Sequence, residues 1–191
     1  MLKQIITETT DAVVAAVQGV DNILDAVTGT VKDQVVGAVK GVGEVGTTTV
    51  EAVASVASGA VRGAGKVGQS VTETATGTMS GIVKGVSQVG GDVFGAVRGG
   101  AKGLVAGTAE TGGDIGGAAV AAVQGAIKAT GETGQDAAQA VNAAVGGALD
   151  AATDIGGDAV GTVREAMLNA AALPRDLVES ALRGSDNDKS Q

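Results

Sequence analysis

A repeat of 22 residues is the feature that most constrains what this chain can fold into. Most copies open with a glycine, two apolar residues and a charged residue, as in residues 59–62 and 81–84. Each copy divides into two halves of 11 residues, and 11 residues make three α-helical turns of about 3.67 residues each. The repeat therefore predicts helices with one continuous apolar face. The copies begin at Gly37, Gly59, Gly81, Gly103, Gly125 and Gly147.

The apolar face, which we call the stripe, is mostly valine, and charged residues such as Lys40, Glu51 and Arg62 fall on the opposite face. Strict alternation of polar and apolar residues is rare, so a β-solenoid is the less favoured alternative. We predict an all-α fold of long amphipathic helices, as one rod or as several helices hinged at glycine pairs such as Gly90-Gly91. The stripe residues are Val42, Val53, Val71, Ile82, Val86, Val93, Phe94, Val97, Leu104 and Ile115.

The composition gives a single copy of this chain little material for a core. The 191 residues include 33 glycines, one phenylalanine and no tryptophan or tyrosine, and the apolar residues are mostly alanine and valine. Small side chains bury little area, at about 25 cal/mol per Å². We therefore expect a chain that is non-globular as a monomer and self-associates into an elongated bundle or tube.

Two sets of glycines recur in register with the repeat, and small residues at such positions let helix backbones approach closely. One set lies within the stripe, where it alternates with larger residues such as Met79 and Val123. The other set forms Gly-x-x-x-Gly pairs at the edge of the stripe. We predict helix packing at Gly46, Gly68, Gly90, Gly112, Gly134 and Gly156, and at Gly37, Gly41, Gly59, Gly63, Gly81 and Gly85.

Missing residue types exclude the commonest catalytic and metal-binding chemistry. The chain has no His and no Cys, so we predict no enzyme activity, no metal site and no cofactor. Asp92, Asp114, Asp136 and Asp158 recur one repeat apart, about 33 Å along a helix, and are expected to be a solvated edge. A net charge of −8 disfavours nucleic acid as a partner.

The C-terminal segment departs from the repeat. Pro174 suits a first helical turn and Gly184 suits a C-cap, which predicts a short helix that either caps the array or docks on another protein. We divide the chain into a lead-in (1–14), the repeat region (15–168), the docking or capping helix (169–184) and a disordered tail (185–191). The docking candidates are Leu173, Leu177, Val178 and Leu182.

The sequence shows no signal peptide and no apolar stretch of the roughly 18 residues that a spanning helix needs. Because the stripe needs a covering surface, we expect a cytoplasmic protein that is peripheral to a membrane.

The 11-residue pattern resembles that of the synuclein and perilipin class of lipid-surface proteins, with residues 59–68 as its clearest example. This resemblance implies a helix that forms reversibly on lipid. The chain departs from that class in having fewer lysines at the expected lipid interface and more glycine.

The acidic composition rich in Gly, Ala and Val, with Phe94 as the one aromatic residue and a distinct C-terminal segment, also resembles a second family. That family is the stalk subunit of actinobacterial high-affinity nickel-iron hydrogenases. The resemblance implies a membrane-associated tube that gathers enzyme units and gives quinone an apolar path. It further implies that Val42, Val53, Val86 and Val97 line the tube and that Leu173, Leu177 and Leu182 dock the enzyme.

These observations predict a non-enzymatic, homo-oligomeric scaffold that touches membrane lipid or quinone and tethers an enzyme complex through its C-terminal segment. A reversible lipid-surface coat is the first alternative. A desiccation or stress protectant, disordered in water, is the second.

Overall fold

The computed structural model describes residues 2–17, 23–42, 47–66 and 68–188. These residues form nine α-helices and contain no strand, so the all-α prediction is confirmed. The helices are α1 (Leu2–Val17), α2 (Ile23–Val42), α3 (Thr47–Lys66), α4 (Val71–Gln88), α5 (Val93–Glu110), α6 (Ile115–Thr133), α7 (Ala137–Ile155), α8 (Ala159–Asn169) and α9 (Arg175–Asp188).

One repeat of 22 residues is one helix and the turn that follows it. Helices α5, α6 and α7 each begin after an aspartate whose side chain caps them, as Asp114 Oδ1 accepts a hydrogen bond from the Gly117 amide at 2.9 Å. They end at a glycine of positive φ, as at Gly134 with φ 71°. The chain is thus a set of hinged helices and not one rod. The glycines that end helices in this way are Gly68, Gly90, Gly112, Gly134 and Gly156.

The helices are arranged in two rows, with α1, α3, α5, α7 and α9 in one and α2, α4, α6 and α8 in the other. Within the described ranges, each helix contacts only helices one or two positions away along the chain. The most extensive contacts join helices two positions apart, such as α2 with α4 and α3 with α5. Contacts limited to near neighbours make the array quasi-one-dimensional, as in solenoid proteins.

The core lies between the two rows, and the stripe supplies it. Val53, Val86 and Val97 are completely buried, at 0% exposure, against other helices of the same chain. The expectation that the monomer is non-globular is therefore wrong. Helices α1 to α7, each of 16 to 20 residues, pack against one another, so the stripe is covered without a second copy.

The segment boundaries also differ from those expected. The division at residue 15 falls inside α1, and the C-terminal helix is α9, which begins at Arg175 and continues to Asp188. Residues 185–188, expected to be a disordered tail, belong to this helix, and residues 189–191 lie outside the described ranges.

A matched pair of glycines in α6 tests the distinction between a capping glycine and an ordinary helical one. Gly134 ends the helix at positive φ, whereas Gly131 is helical and a methyl group there meets open space. Gly134→Ala should lower the free energy of unfolding by about 1 kcal/mol, because a Cβ is strained in the left-handed region. Gly131→Ala should raise it by about 0.5–1 kcal/mol. Urea unfolding measures both, and equal effects of one sign would contradict the assignment.

Candidate functional site: the glycine faces between helices

In α3 to α7, one face of each helix touches the helix two positions earlier through glycine. A methyl group placed at Gly59 would lie 2.8 Å from the carbonyl oxygen of Ile6, and one at Gly81 would lie 2.6 Å from that of Thr28. These distances are too short for a real Cβ, so only glycine permits the contact. The glycines at this repeat position that touch the helix two positions earlier are Gly59, Gly81, Gly103, Gly125 and Gly147.

The glycine contacts show that helices two positions apart run parallel. Gly59 faces Ile6, and Gly63, one turn later, faces Thr10 in the same direction along α1. Hydroxyl groups use the same close approach: the Thr10 Oγ1 donates to the Gly59 carbonyl at 3.1 Å, and the Thr28 Oγ1 donates to the Gly77 carbonyl at 3.2 Å. The bare backbone of glycine is therefore both a packing surface and a hydrogen-bond partner.

Ion pairs join the same helices at their solvent edge. Arg62 Nη2 lies 2.6 Å from Glu110 Oε2 between α3 and α5, and Lys84 Nζ lies 2.8 Å from Glu132 Oε2 between α4 and α6. Two further pairs join α5 to α7: Arg98 with Asp150 at 2.8 Å and Lys102 with Asp154 at 2.7 Å. All these side chains are partly exposed, so each pair contributes little stability and chiefly fixes the register.

The pKa of Glu132 is lowered, first because its carboxylate accepts a hydrogen bond from Lys84 and further because Lys84 and Lys128 are positively charged. The pKa of Asp136 is lowered because the Gln139 amide donates to it as a helix cap. Hydrogen bonds from Arg175 and Arg183 lower the pKa of Glu179 on α9. Each carboxylate is thus stabilised in its charged form.

The first predicted set of packing glycines has a different role from the one expected. Gly68, Gly90, Gly112, Gly134 and Gly156 all have positive φ, and a methyl group at any of them meets nothing within 4 Å. The prediction that they pack helices is wrong, because they end helices. Gly46 lies outside the described residues. The recurring aspartates two residues later, expected to be only a solvated edge, cap the next helix at Asp92, Asp114 and Asp136.

In the second set, Gly59, Gly63, Gly81 and Gly85 lie at contacts between helices of one chain. Sequence reasoning missed three glycines that make equivalent contacts, which are Gly99, Gly125 and Gly147. Gly103 and Gly107, a further Gly-x-x-x-Gly pair of the same frame that the sequence indicates, contact Ala54 and Ser58 of α3.

The stripe residues are inside the chain. Ile82, Val93 and Leu104 are buried, and Val71, Phe94 and Ile115 are half-buried against the core or its edge. Val53, Val86 and Val97 fill space between helices, so the expectation that they line a tube is wrong for this fold. The burial of Val42 and the contacts of Gly41 are outside what the structure describes.

The C-terminal candidates for docking pack inward. Leu173, Val178 and Leu182 are buried and Leu177 is half-buried, all against the core formed with α7 and α8. Of the two possibilities left open by the sequence, this arrangement favours the cap. The docking assignment of these leucines is wrong because they are already covered by the chain itself.

The glycine that opens each repeat is uncovered in α2, near the N-terminal end of the array. Gly37 on α2 is one repeat before Gly59 and two before Gly81, yet a methyl group there meets nothing within 4 Å. Asp33, about one turn before Gly37, and Lys40, about one turn after it, lie on the same side of the helix and are exposed. We call the surface formed by Asp33, Gly37 and Lys40 the α2 face.

A groove of about 620 Å³ runs beside α1, α3 and the turn after α5. Its lining mixes apolar Ile6 and Val71 with Thr10, Arg62 and Lys66, and Arg62 is already paired with Glu110. The described residues contain no group of acidic side chains placed to hold a metal ion. None of the helices described is long and apolar enough to cross a membrane.

A comparison with protein-family models finds no match to this sequence, and a search of curated proteins finds no significant match either. The functional argument therefore depends on the geometry of the array itself.

Gly81 and Gly37 occupy the same position of the repeat, one in a close contact and the other in open space, so they give a matched test of the contact. Gly81→Ala should lower the free energy of unfolding by about 1 kcal/mol, because an overpacking cost of about 1–3 kcal/mol exceeds the gain in helix propensity of about 1 kcal/mol. Gly37→Ala, at the same frame position with open space, should instead stabilise the chain. Urea unfolding at low protein concentration measures both, and a stabilising Gly81→Ala would contradict the close contact.

The ion pair between α4 and α6 predicts a pH effect. The lowered pKa of Glu132 means that its contribution to stability is present above its ordinary pKa of 4.5 and is lost as the pH falls through the lowered value. Lys84→Met should raise the pKa of Glu132 towards 4.5, since the hydrogen bond is the largest cause. Lys128→Met should raise it less. A carboxyl titration followed by NMR decides, and an unmoved pKa in Lys84→Met would contradict the pairing.

Proposed function

We propose that this chain is a non-enzymatic helical scaffold that associates with copies of itself. The supporting observation is that the recurring residues have structural roles. One glycine column brings helices together, another ends them, the aspartates begin them, and the ion pairs fix their register. A surface built by repetition gives a regular frame for partners, and the open α2 face gives a place where a further helix fits.

The other features expected from the resemblance to hydrogenase stalk subunits stay predictions. They are the attachment to a membrane, the tethering of an enzyme complex and a path for quinone. In the folded array, the stripe is covered by the chain's own helices. A lipid coat that uses the stripe therefore requires the helices to separate, and a dry-state protectant requires them to be unfolded in water.

Circular dichroism and light-scattering mass, measured over a hundredfold range of protein concentration, test the proposal. The scaffold should be helical in plain buffer, with a mass that rises from the monomer as concentration increases. A helical chain that remains monomeric throughout would contradict self-association.

Neutral lipid vesicles distinguish the alternatives in the same experiment. A disordered monomer that becomes helical only with vesicles would replace the scaffold with the lipid coat. A chain that stays disordered with and without vesicles would favour the protectant.

A further inference from the structure

The α2 face differs from the equivalent face of the helices that follow it. Its frame positions 33 and 37 correspond to Ser55 and Gly59 in α3 and to Gly77 and Gly81 in α4, which are covered by α1 and α2 respectively. Gly37 keeps the glycine, but Asp33 introduces a charge where the later helices have a small residue. The Asp33 side chain is 79% exposed, although it lies 3.6 Å from the neighbouring Lys32.

The three residues of the α2 face are spaced for self-recognition. Along a helix that rises about 1.5 Å per residue, Asp33 lies about 6 Å before Gly37 and Lys40 lies about 4.5 Å after it. When a second α2 helix crosses antiparallel at Gly37, each Asp33 falls opposite the Lys40 of the other copy. The missing side chain at Gly37 lets the two backbones approach at the centre, as it does at Gly81 inside the array.

We propose that two copies of this chain pair through their α2 faces, antiparallel, about a twofold axis close to Gly37. This inference rests on the self-association proposed above and names the surface that performs it. A twofold arrangement is the commonest symmetry of homo-oligomers, and it presents the same patch on both subunits. Here each Asp33 pairs with the Lys40 of the other copy, so the dimer contains two equivalent ion pairs. A parallel pairing would instead place like charges side by side.

The chemistry of the α2 face also sets the character of the dimer. Two solvent-edge ion pairs and a small glycine contact form a limited interface, which is typical of a reversible association. Because the pairs are exposed, added salt screens them over about 10 Å at 0.1 M and weakens the dimer.

Charge exchange tests the proposal directly. D33K places two lysines opposite each other in each half of the dimer, and K40D places two aspartates there, so each variant alone should dimerise about tenfold or more weakly. An equimolar mixture of D33K and K40D should form a heterodimer, because both contacts become attractive again. The double variant D33K/K40D should dimerise with itself for the same reason.

Matched controls separate the face from general effects of charge and bulk. E51K makes the same change of charge at an exposed position of α3, and G131L adds the same bulk as G37L at an open helical position of α6. Both controls should dimerise as the unaltered chain does, while G37L should be monomeric. Circular dichroism should show the same helicity for every variant, since none of these side chains is buried in the monomer.

Sedimentation equilibrium gives the mass of each sample, and each outcome has one meaning. Loss in the single variants and recovery in the mixture supports the proposal. Loss without recovery overturns the twofold pairing, and association unchanged in D33K and G37L overturns the α2 face while leaving the scaffold intact. A monomeric unaltered chain at all concentrations overturns both the face and the scaffold.

Discussion

The close approach of helices two positions apart is the contact on which the rest of this structure depends. Alanine and valine bury little area each, so a core made of them is stable only when the helices are near enough for many small contacts. Glycine at positions such as Gly81 and Gly125 brings one backbone against the next and makes that distance possible. A Cβ at these positions would separate the helices and weaken the packing of their neighbours.

The helical nature of the chain follows from its sequence, but the points where each helix ends were harder to predict. An 11-residue half-repeat fits an uninterrupted helix, so Gly90 and Gly112 fall within the stripe on a helical wheel and read as packing residues. In the structure they have positive φ and end helices. The missed signal is the spacing of Gly90 from Asp92 and of Gly112 from Asp114, because a C-terminal glycine followed by an N-cap aspartate marks a turn.

The candidate site was predictable only in part, because an amphipathic pattern shows that a face must be covered without showing what covers it. The sequence places Val53, Val86 and Val97 on one face, and a second copy, lipid or another part of the same chain would satisfy that face equally. In the folded structure, other helices of the same chain cover the face. The pairing of Lys84 with Glu132, two repeats later, depends on the return of the chain after each turn and is not visible in any local pattern.

The two sides of each helix differ, and this difference bears on how the array can grow. The glycine side of a helix contacts the helix two positions earlier, and the opposite side contacts the helix two positions later. A second copy that stacked on the array in this same way would therefore join two unlike faces. Such a contact extends into a filament unless its rotation closes it into a ring. Asp33 disfavours such stacking on the α2 face, because its charged side chain would lie against the backbone of the stacked helix. In the twofold pairing that we propose, Asp33 has a partner in Lys40, Gly37 lies at the contact and the assembly closes, so this pairing would limit an otherwise extendable array to a defined pair.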